Sequence, residues 1–411
     1  MQAPATNTQS RSHSSLLFVA FIVFVDMTGL GLIVPIMPSL IQDLSGASIA
    51  QAAEIGGWLL FSYAMMQFLF APVIGGLSDR YGRRPVLLIT LAILGLDYAI
   101  MAWAPTLTWL FIGRIISGVM GASWTAANSC VADVVSDEER AKYFGILGGA
   151  GAAGFVLGPA IGGILGEFGD RLPFMVSSGM ALGGAVVGYF LLRETLPVEK
   201  RRRFSLARAN PLGSAIQISK TPLALGFLLV IFMLQLAAQS QIAIWAYYLI
   251  ERFQWSELEI GLSVALFGLL LAIVQGGLTG PVSARYGNAK TGFWSLVFAI
   301  PSYLLFALAP AGWVMILGIF VGAASAFVFP AMQAMMSARI EEDAQGELQG
   351  AIASVIGLTS IFGPVLMTVT FRVFADGAGL YFPGAPYILA MVLCVVAVLL
   401  FARTVRLYHH W

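Results

Sequence analysis

Charge is scarce in this chain. Only 10% of its 411 residues are Asp, Glu, Lys or Arg, while 59% are hydrophobic and the mean hydropathy is +0.86. A soluble domain carries about 25% charged residues, so this chain cannot cover a water-facing surface and must be a polytopic membrane protein. The net charge is +1; with no basic excess, nothing points to a nucleic-acid partner. Cysteine is nearly absent. Cys130 and Cys394 lie in or beside apolar runs with no CxxC, which excludes a disulfide framework. The three histidines, His13, His409 and His410, all lie in the tails. No metal-ligand spacing is visible, and no His, Cys or Ser constellation suits nucleophilic catalysis. The chain therefore does not read as an enzyme. No loop is large enough to relay a signal, which argues against a receptor.

What the chain has in quantity is apolar length. Runs fall at about 16–37, 55–75, 86–104, 107–129, 144–166 and 172–192, and again at about 222–249, 258–279, 291–309, 312–334, 349–371 and 386–402. Each is long enough for a hydrocarbon core of about 30 Å. The expectation is an all-α membrane protein of twelve helices in two six-helix halves. These are an N-terminal half over 16–192 and a C-terminal half over 222–402, joined by a polar linker at 193–221, with tails at 1–15 and 403–411. The first run lacks a small-residue cleavage site and reads as a retained helix rather than a signal peptide. Lys and Arg set the orientation. One side collects Arg80, Arg83, Arg84, Lys142, the Lys200–Arg203 run, Arg208, Lys220, Arg285 and Lys290, the other only Arg171, Arg252 and Arg372. Both termini are thus expected in the cytoplasm, in an inner or plasma membrane.

The most charged turn, Gly75 to Leu87, reads GGLSDRYGRRPVL and holds Asp79, Arg80, Arg83 and Arg84. Gly75 and Gly82 permit a tight turn, and Pro85 suits the start of the next helix. The stretch predicts a short basic hairpin between two spans. It has an echo 205 residues on, GPVSARYGNAK at 280–290. The same offset aligns Ala104-Pro105 with Ala309-Pro310, Gly113 with Gly318, Gly145 with Gly350 and Gly158-Pro159 with Gly363-Pro364. One offset without slippage implies two parallel six-helix repeats with a substrate path between them near mid-membrane.

Two carboxylates and one cation fall well inside spans: Asp26, Asp97 and Arg114. Each costs about 2.5–3.5 kcal/mol on insertion scales, so each must face an aqueous cavity or an opposite charge. The readings are a proton or cation site, or a structural pair between Asp97 and Arg114. Their repeat counterparts are Ile231, Ser302 and Ile319, so proton handling, if present, belongs to the N-terminal half. The second half is rich in amides, with Gln235, Gln239, Gln241, Gln275 and Gln333, and Trp245 and Tyr247 close by; Asn128 aligns with Gln333. As a set they suggest a polar cavity with aromatic walls; singly, each also reads as interhelical bonding. The glycine-dense stretch 148–166 permits close helix approach, with either tight packing or conformational switching as its role. The Lys200–Arg203 run reads as an orientation signal, or as a lipid-headgroup site.

With these motifs assembled, the chain resembles the major facilitator superfamily, in its drug/proton antiporter branch with twelve spans. The resemblance covers about residues 16–402. It rests on Gly75-x-Leu77-x-Asp79-Arg80-x-Gly82-Arg83-Arg84, on Arg114 with Gly118, and on Gly154-x-x-x-Gly158-Pro159-x-x-Gly162-Gly163 as the antiporter motif. The chain is most similar to the tetracycline/proton antiporters, through Asp26-Met-Thr-Gly-Leu-Gly-Leu-Ile-Val-Pro, Tyr63-Ala-Met-Met-Gln67, Leu96-Asp97-Tyr98, Gln235-x3-Gln239-x5-Trp245, Pro330-Ala-Met-Gln333 and Gln345-Gly-x-Leu-Gln349-Gly350. The resemblance implies proton-coupled drug efflux and antibiotic resistance by alternating access. Asp26 and Asp97 would be the coupling carboxylates, with Gln67, Gln235, Gln239, Gln275 and Gln333 near the drug path. Asp79, Arg83 and Asp133 would form a cytoplasmic gate. Where those antiporters often carry a histidine on the eighth helix this chain has Leu271, and where they often carry an aspartate on the ninth it has Ile300. The expected partners are protons, a small amphiphilic substrate and the bilayer, with the chain acting as a monomer. No cofactor is expected beyond the proton gradient as energy source. A divalent metal accompanying the substrate, as with tetracycline in the resembling family, stays open, as do export of an endogenous metabolite or siderophore and uncoupled facilitation.

Overall fold

The computed structural model describes residues 6–121, 123–135, 137–202, 204, 222–339, 345–377 and 379–408. Arg203, Arg208, Lys220, His409 and His410 lie outside them. The described residues are helical, without strands. Twelve helices are long and apolar enough to cross a bilayer: α1 (Leu16–Ile33), α2 (Ile49–Tyr81), α3 (Arg83–Ala102), α4 (Leu107–Val134), α5 (Lys142–Gly166), α6 (Leu172–Leu191), α7 (Ala224–Phe253), α8 (Glu257–Tyr286), α9 (Asn288–Leu308), α10 (Gly312–Ser337), α11 (Gln345–Ala375) and α12 (Ala385–Leu407).

The first helix starts at Thr6, within the expected tail, and several spans run longer than their apolar stretches; two differences have a clear physical cause. The first helix ends at Ile33, followed by a turn and a short helix, Met37–Ser45. Pro35 disfavours helical geometry in the residue before it, which stops α1 early. The basic hairpin is also tighter than expected. Gly75 lies inside α2 with open space where a Cβ would sit, so it is no turn residue. The chain reverses at Gly82 alone, at φ 105° and ψ 161°. Its repeat counterpart Gly287 adopts φ 78° and ψ 153° between α8 and α9. Both sit in a region that side chains other than glycine's rarely enter.

Packing divides the chain into two compact units, Met1–Leu40 with Met65–Asn210, and Ile41–Ala64 with Pro211–Trp411. Helix α2 belongs to both, changing over between Ala64 and Met65. In the first unit α1 packs on α5 and α6, and α3 on α6 and α4. In the second unit α7 packs on α11 and α12, and α9 on α12 and α10. These are the same four pairings displaced by six helices, the structural form of the 205-residue repeat.

The antiporter-motif glycines make the α1–α5 seam. Cβ atoms built at Gly154 and Gly158 would each lie 2.6 Å from a backbone oxygen, of Phe24 and Thr28 respectively, and one at Gly162 would run into the Leu32 carbonyl. Pro159 packs against Gly31, and Pro159 and Gly163 are buried. Absent side chains thus let two backbones touch. In the second unit Gly363, the counterpart of Gly158, faces the Gln239 and Leu236 side chains instead. Overpacking a tight contact costs about 1–3 kcal/mol. Gly162→Ala is therefore expected to lower the melting temperature of the purified protein by several degrees (about 2–4 °C per kcal/mol). Gly145→Ala, where nothing lies within 4 Å, serves as the control; equal melting of the two variants would remove the seam as a source of stability.

Candidate functional site

Asp97 on α3 is fully buried, and Arg114 on α4 is 5% exposed. Arg114 Nη2 donates to Asp97 Oδ2 at 3.1 Å and lies 3.1 Å from the Met101 sulfur. Gly113 makes room, because a Cβ there would collide with Asp97 Oδ1. Breaking such a pair by removing one partner costs about 3–5 kcal/mol, yet replacing it with neutral groups is often harmless. The second unit shows that replacement in place. Ser302 Oγ donates to the Gly318 carbonyl at 2.9 Å, and Ile319 is buried where Arg114 would stand. The second unit thus holds neutral groups at the positions where the first holds an ion pair.

Asp26 is buried on α1, 7% exposed. It lies opposite the α5 seam formed by Phe24, Thr28, Gly31 and Leu32, and shares a face with Gly29 one turn on. Gly29 abuts the Tyr98 hydroxyl, so Asp26 belongs to the α1 face turned to α3. Its counterpart Ile231 sits in an apolar cluster with Phe227, Met332, Ile352 and Phe401.

The basic hairpin is a second constellation. Arg83 opens α3 and donates through Nη1 to Asp79 Oδ1 at 2.6 Å and to Ser78 Oγ at 3.1 Å. Its Nε donates to Asp133 Oδ2 on α4 at 2.9 Å. One guanidinium thus joins α2, α3 and α4. Arg84 donates to the Tyr189 carbonyl at 2.6 Å and lies over that ring, and Arg80 lies over the Tyr81 ring. The sequence reading named these residues but missed Glu194. Glu194 Oε1 accepts the backbone N–H groups of Arg83 (2.8 Å), Thr195 (3.0 Å) and Leu196 (3.0 Å), and its Oε2 lies 3.8 Å from Arg201. The linker follows it onto the hairpin. Arg202 N–H donates to the Asp79 carbonyl, and the Phe204 ring covers Gly76. A lone acid at the end of α6 was the available signal, but nothing in its spacing points to residue 83.

The amides divide by unit. In the first, Gln67 Nε2 donates to the Gly121 carbonyl at 2.9 Å, and Asn128 is half-buried on α4. In the second, Gln239 Nε2 lies 3.5 Å from Ser360 Oγ on α11, Gln333 Nε2 donates to Gln349 Oε1 at 3.0 Å, and Gln235 is half-buried on α7. Trp245 is only 4% exposed. Its Nε1 donates to Ser263 Oγ at 2.9 Å, and its ring meets Phe306 edge-on. Gln275 stands in a feature that hydrophobic periodicity did not reveal. Helix α8 turns π-helical over Val274–Leu278, α10 turns 3-10 over Ala324–Phe327, and Gln275 Nε2 lies 3.5 Å from the Ala326 carbonyl between them. Such irregular segments recur at functional sites. Leu271, at the family's histidine position, packs with Val274, Ala323 and Ala326 beside this break.

Near the other end of the second unit, Arg372 on α11 pairs with Glu54 on α2 and lies 3.8 Å from Asp376. Gly56 and Gly57 bring α2 hard against the Tyr247 hydroxyl and Thr368. Among the described residues no His, Cys, Asp or Glu side chains are grouped as metal ligands.

Two parallel six-helix repeats, with ionisable groups inside one of them, form the architecture of a membrane transporter. The chain belongs to the Major Facilitator Superfamily, whose sequence pattern matches residues 19–245 and 227–409. It is 37% identical over 366 residues to the class C tetracycline resistance protein of Escherichia coli, covering 89% of this chain and 92% of that one. It is 39% identical over 368 residues to the class G tetracycline resistance protein of Vibrio anguillarum, covering 87% and 91%. Among solved structures, a bacterial homologue of the human lysosomal transporter Spinster shares the fold with a TM-score of 0.79, at 18% identity and 98% coverage of each chain.

The Glu194 contacts carry an expected outcome. Hydrogen bonds to a charged group are worth about 1.5–3 kcal/mol. In Glu194→Ala the amides of Arg83, Thr195 and Leu196 should therefore exchange with deuterium about ten-fold faster or more, while α1 and α5 peptides stay protected. Unaltered exchange at those three amides would show that the carboxylate does not hold the hairpin.

Proposed function

We propose that this protein is a secondary active exporter of tetracycline-like or other amphiphilic drugs, driven by protons and working by alternating access. The observation that carries the reading is the contrast between the repeats. Asp26, Asp97 and Arg114 stand in one unit where Ile231, Ser302 and Ile319 fill the matching positions of the other. A fold that tolerates neutral groups at those sites has no structural need for ionisable ones, and a transporter that carries protons does. The curated relatives, tetracycline resistance proteins over most of their length, support the substrate class.

In this reading both termini face the cytoplasm, as the distribution of Lys and Arg favours. Substrate enters from the cytoplasm or the inner leaflet. Asp26 releases its proton inward and exchanges it for substrate, and the Asp97–Arg114 pair holds the neighbouring charge balance. Each charge crossing 100 mV contributes about 2.3 kcal/mol, with a pH gradient adding to it. Arg83, bridging Asp79 and Asp133, latches the cytoplasmic ends of α2, α3 and α4. Gln67 and Asn128 of the first unit, with Gln235, Gln239, Trp245, Gln275 and Gln333 of the second, select substrate. The protein is active as a monomer, and a divalent metal travels with the substrate only if the substrate chelates one. A second reading, export of a different amphiphile such as an endogenous metabolite, is favoured by Leu271 and Ile300 at positions where the resembling antiporters often carry ionisable groups.

Acid-inside proteoliposomes containing the wild-type chain are expected to accumulate radiolabelled tetracycline, and those containing Asp26→Asn are expected to lose gradient-driven accumulation. Equal accumulation by the two would remove Asp26 as the coupling group. No accumulation by folded wild type would remove tetracycline and leave the second reading. Asp79→Asn is expected to fold normally and to slow turnover; full-rate transport by that variant would be incompatible with the latch.

A further inference from the structure

A groove in the second unit is not used by any step above. It is a cleft of about 300 Å³ between the end of α8, the start of α9 and the 3-10 turn of α10. Its walls are apolar, formed mainly by Trp294, Phe298 and Phe327. Trp294 and Phe298 are 58% and 48% exposed, so the groove is open at the surface of the second unit. At its mouth stand Tyr286 and Lys290, with the Arg285 guanidinium over the Tyr286 ring at 5.5 Å. None of the described lining residues is acidic, and Lys290 has no ion pair among the described residues. Directly after Lys290 the lining includes Thr291, which is 5% exposed with a hydroxyl that has no hydrogen-bond partner among the described residues. Hydroxyls buried in this way are normally satisfied.

Geometry narrows the occupant. From Lys290 to Phe298 the groove follows α9 for roughly 12 Å, close to the depth of one leaflet of a core about 30 Å thick. It is cationic at the surface end, holds one polar hook just below, and is aromatic further in. An anionic phospholipid has the matching order of groups, with a phosphate, then ester oxygens, then acyl chain. We propose that this groove is a binding site for an anionic phospholipid. The phosphate sits at Lys290, with Arg285 nearby, an ester or phosphate oxygen accepts from Thr291, and an acyl chain lies along Trp294 and Phe298. Assignment to the inner leaflet rests on the orientation adopted above; the site itself does not. The counterparts of Lys290, Thr291 and Trp294 in the first repeat are Pro85, Val86 and Ile89, so the site belongs to the second unit. It also adjoins the 3-10 turn that meets Gln275, which places a lipid chain beside the irregular stretch of α10.

The test uses the full chain in nanodiscs of phosphatidylcholine doped with brominated-acyl phosphatidylglycerol or, at the same mole fraction, brominated phosphatidylcholine. The fluorescence difference between wild type and Trp294→Phe isolates the groove tryptophan. Its emission is expected to be quenched at about five-fold lower mole fraction of the anionic lipid, the preference one membrane-proximal cation supplies. That preference is expected to vanish in Lys290→Gln. It should also fall in Ala324→Leu, which fills the groove and leaves the charge in place. Equal quenching by the two lipids in wild type would overturn the proposal. So would a preference that survives Ala324→Leu, because Lys290 would then attract anionic lipid without a groove. Size-exclusion profiles and helical circular dichroism establish that each variant is folded. The readout requires no transport and is independent of the drug exported.

Discussion

A charge at membrane depth must meet an opposite charge, a hydrogen-bond donor or water, and most of this structure can be understood from how few such meetings it arranges. Glycine at 113 leaves room for the Asp97 carboxylate beside Arg114, and the pair lies where no solvent reaches Asp97. The desolvation of two ions there is costly and is offset only by good geometry. The second unit, with the same helix pairings, avoids the cost by placing a serine against a carbonyl and an isoleucine beside it. Two solutions at one position of one fold separate what packing requires from what is added to it.

The backbone obeys a related constraint. Within lipid every N–H and C=O needs an internal partner, which is why the described residues are helical. Departures from regular helix should therefore occur only where protein supplies the missing partner. The π-helical stretch of α8 and the 3-10 turn of α10 meet this condition by facing each other, with the Gln275 amide approaching the Ala326 carbonyl. The α1–α5 seam is the opposite case. There the helices stay regular and the side chains disappear, so that Gly154, Gly158 and Gly162 bring backbone against backbone. That seam brings backbone close to backbone, whereas in the matching seam of the second unit the Gln239 side chain stands against Gly363.

Much of this was legible in the sequence, for physical reasons. Apolar runs of span length and a fixed repeat offset determine the number of helices and their pairing, because bilayer thickness and parallel duplication leave few choices. Asp26, Asp97 and Arg114 stood out because charge is so rare around them. The positive-φ turn at Gly82 was anticipated in kind, but Gly75 was taken as part of it. Glycine spacing alone does not distinguish a turn from a helix end that continues for another six residues. Glu194 and the π-helical stretch were not visible. A carboxylate that binds a backbone N–H 111 residues away leaves no periodic trace, and a π-helical turn inserts a register shift that an apolar run conceals.

The Glu194 contacts also give the linker a mechanical meaning. Arg83 is fixed by its side chain to Ser78, Asp79 and Asp133 and by its backbone N–H to Glu194, so the first residue of α3 has four partners. Glu194 in turn orders Thr195 and Leu196, and Arg202 and Phe204 continue along α2. The linker leaves the first unit as a strap across the hairpin, not as a free tether. Asp79 serves both, its carboxylate accepting from the Arg83 side chain and its backbone carbonyl from the Arg202 N–H. In the proposed export cycle the side-chain latch and the strap would therefore share Asp79, and an opening that displaced its backbone would cost the linker's hydrogen bond in addition to the ion pairs.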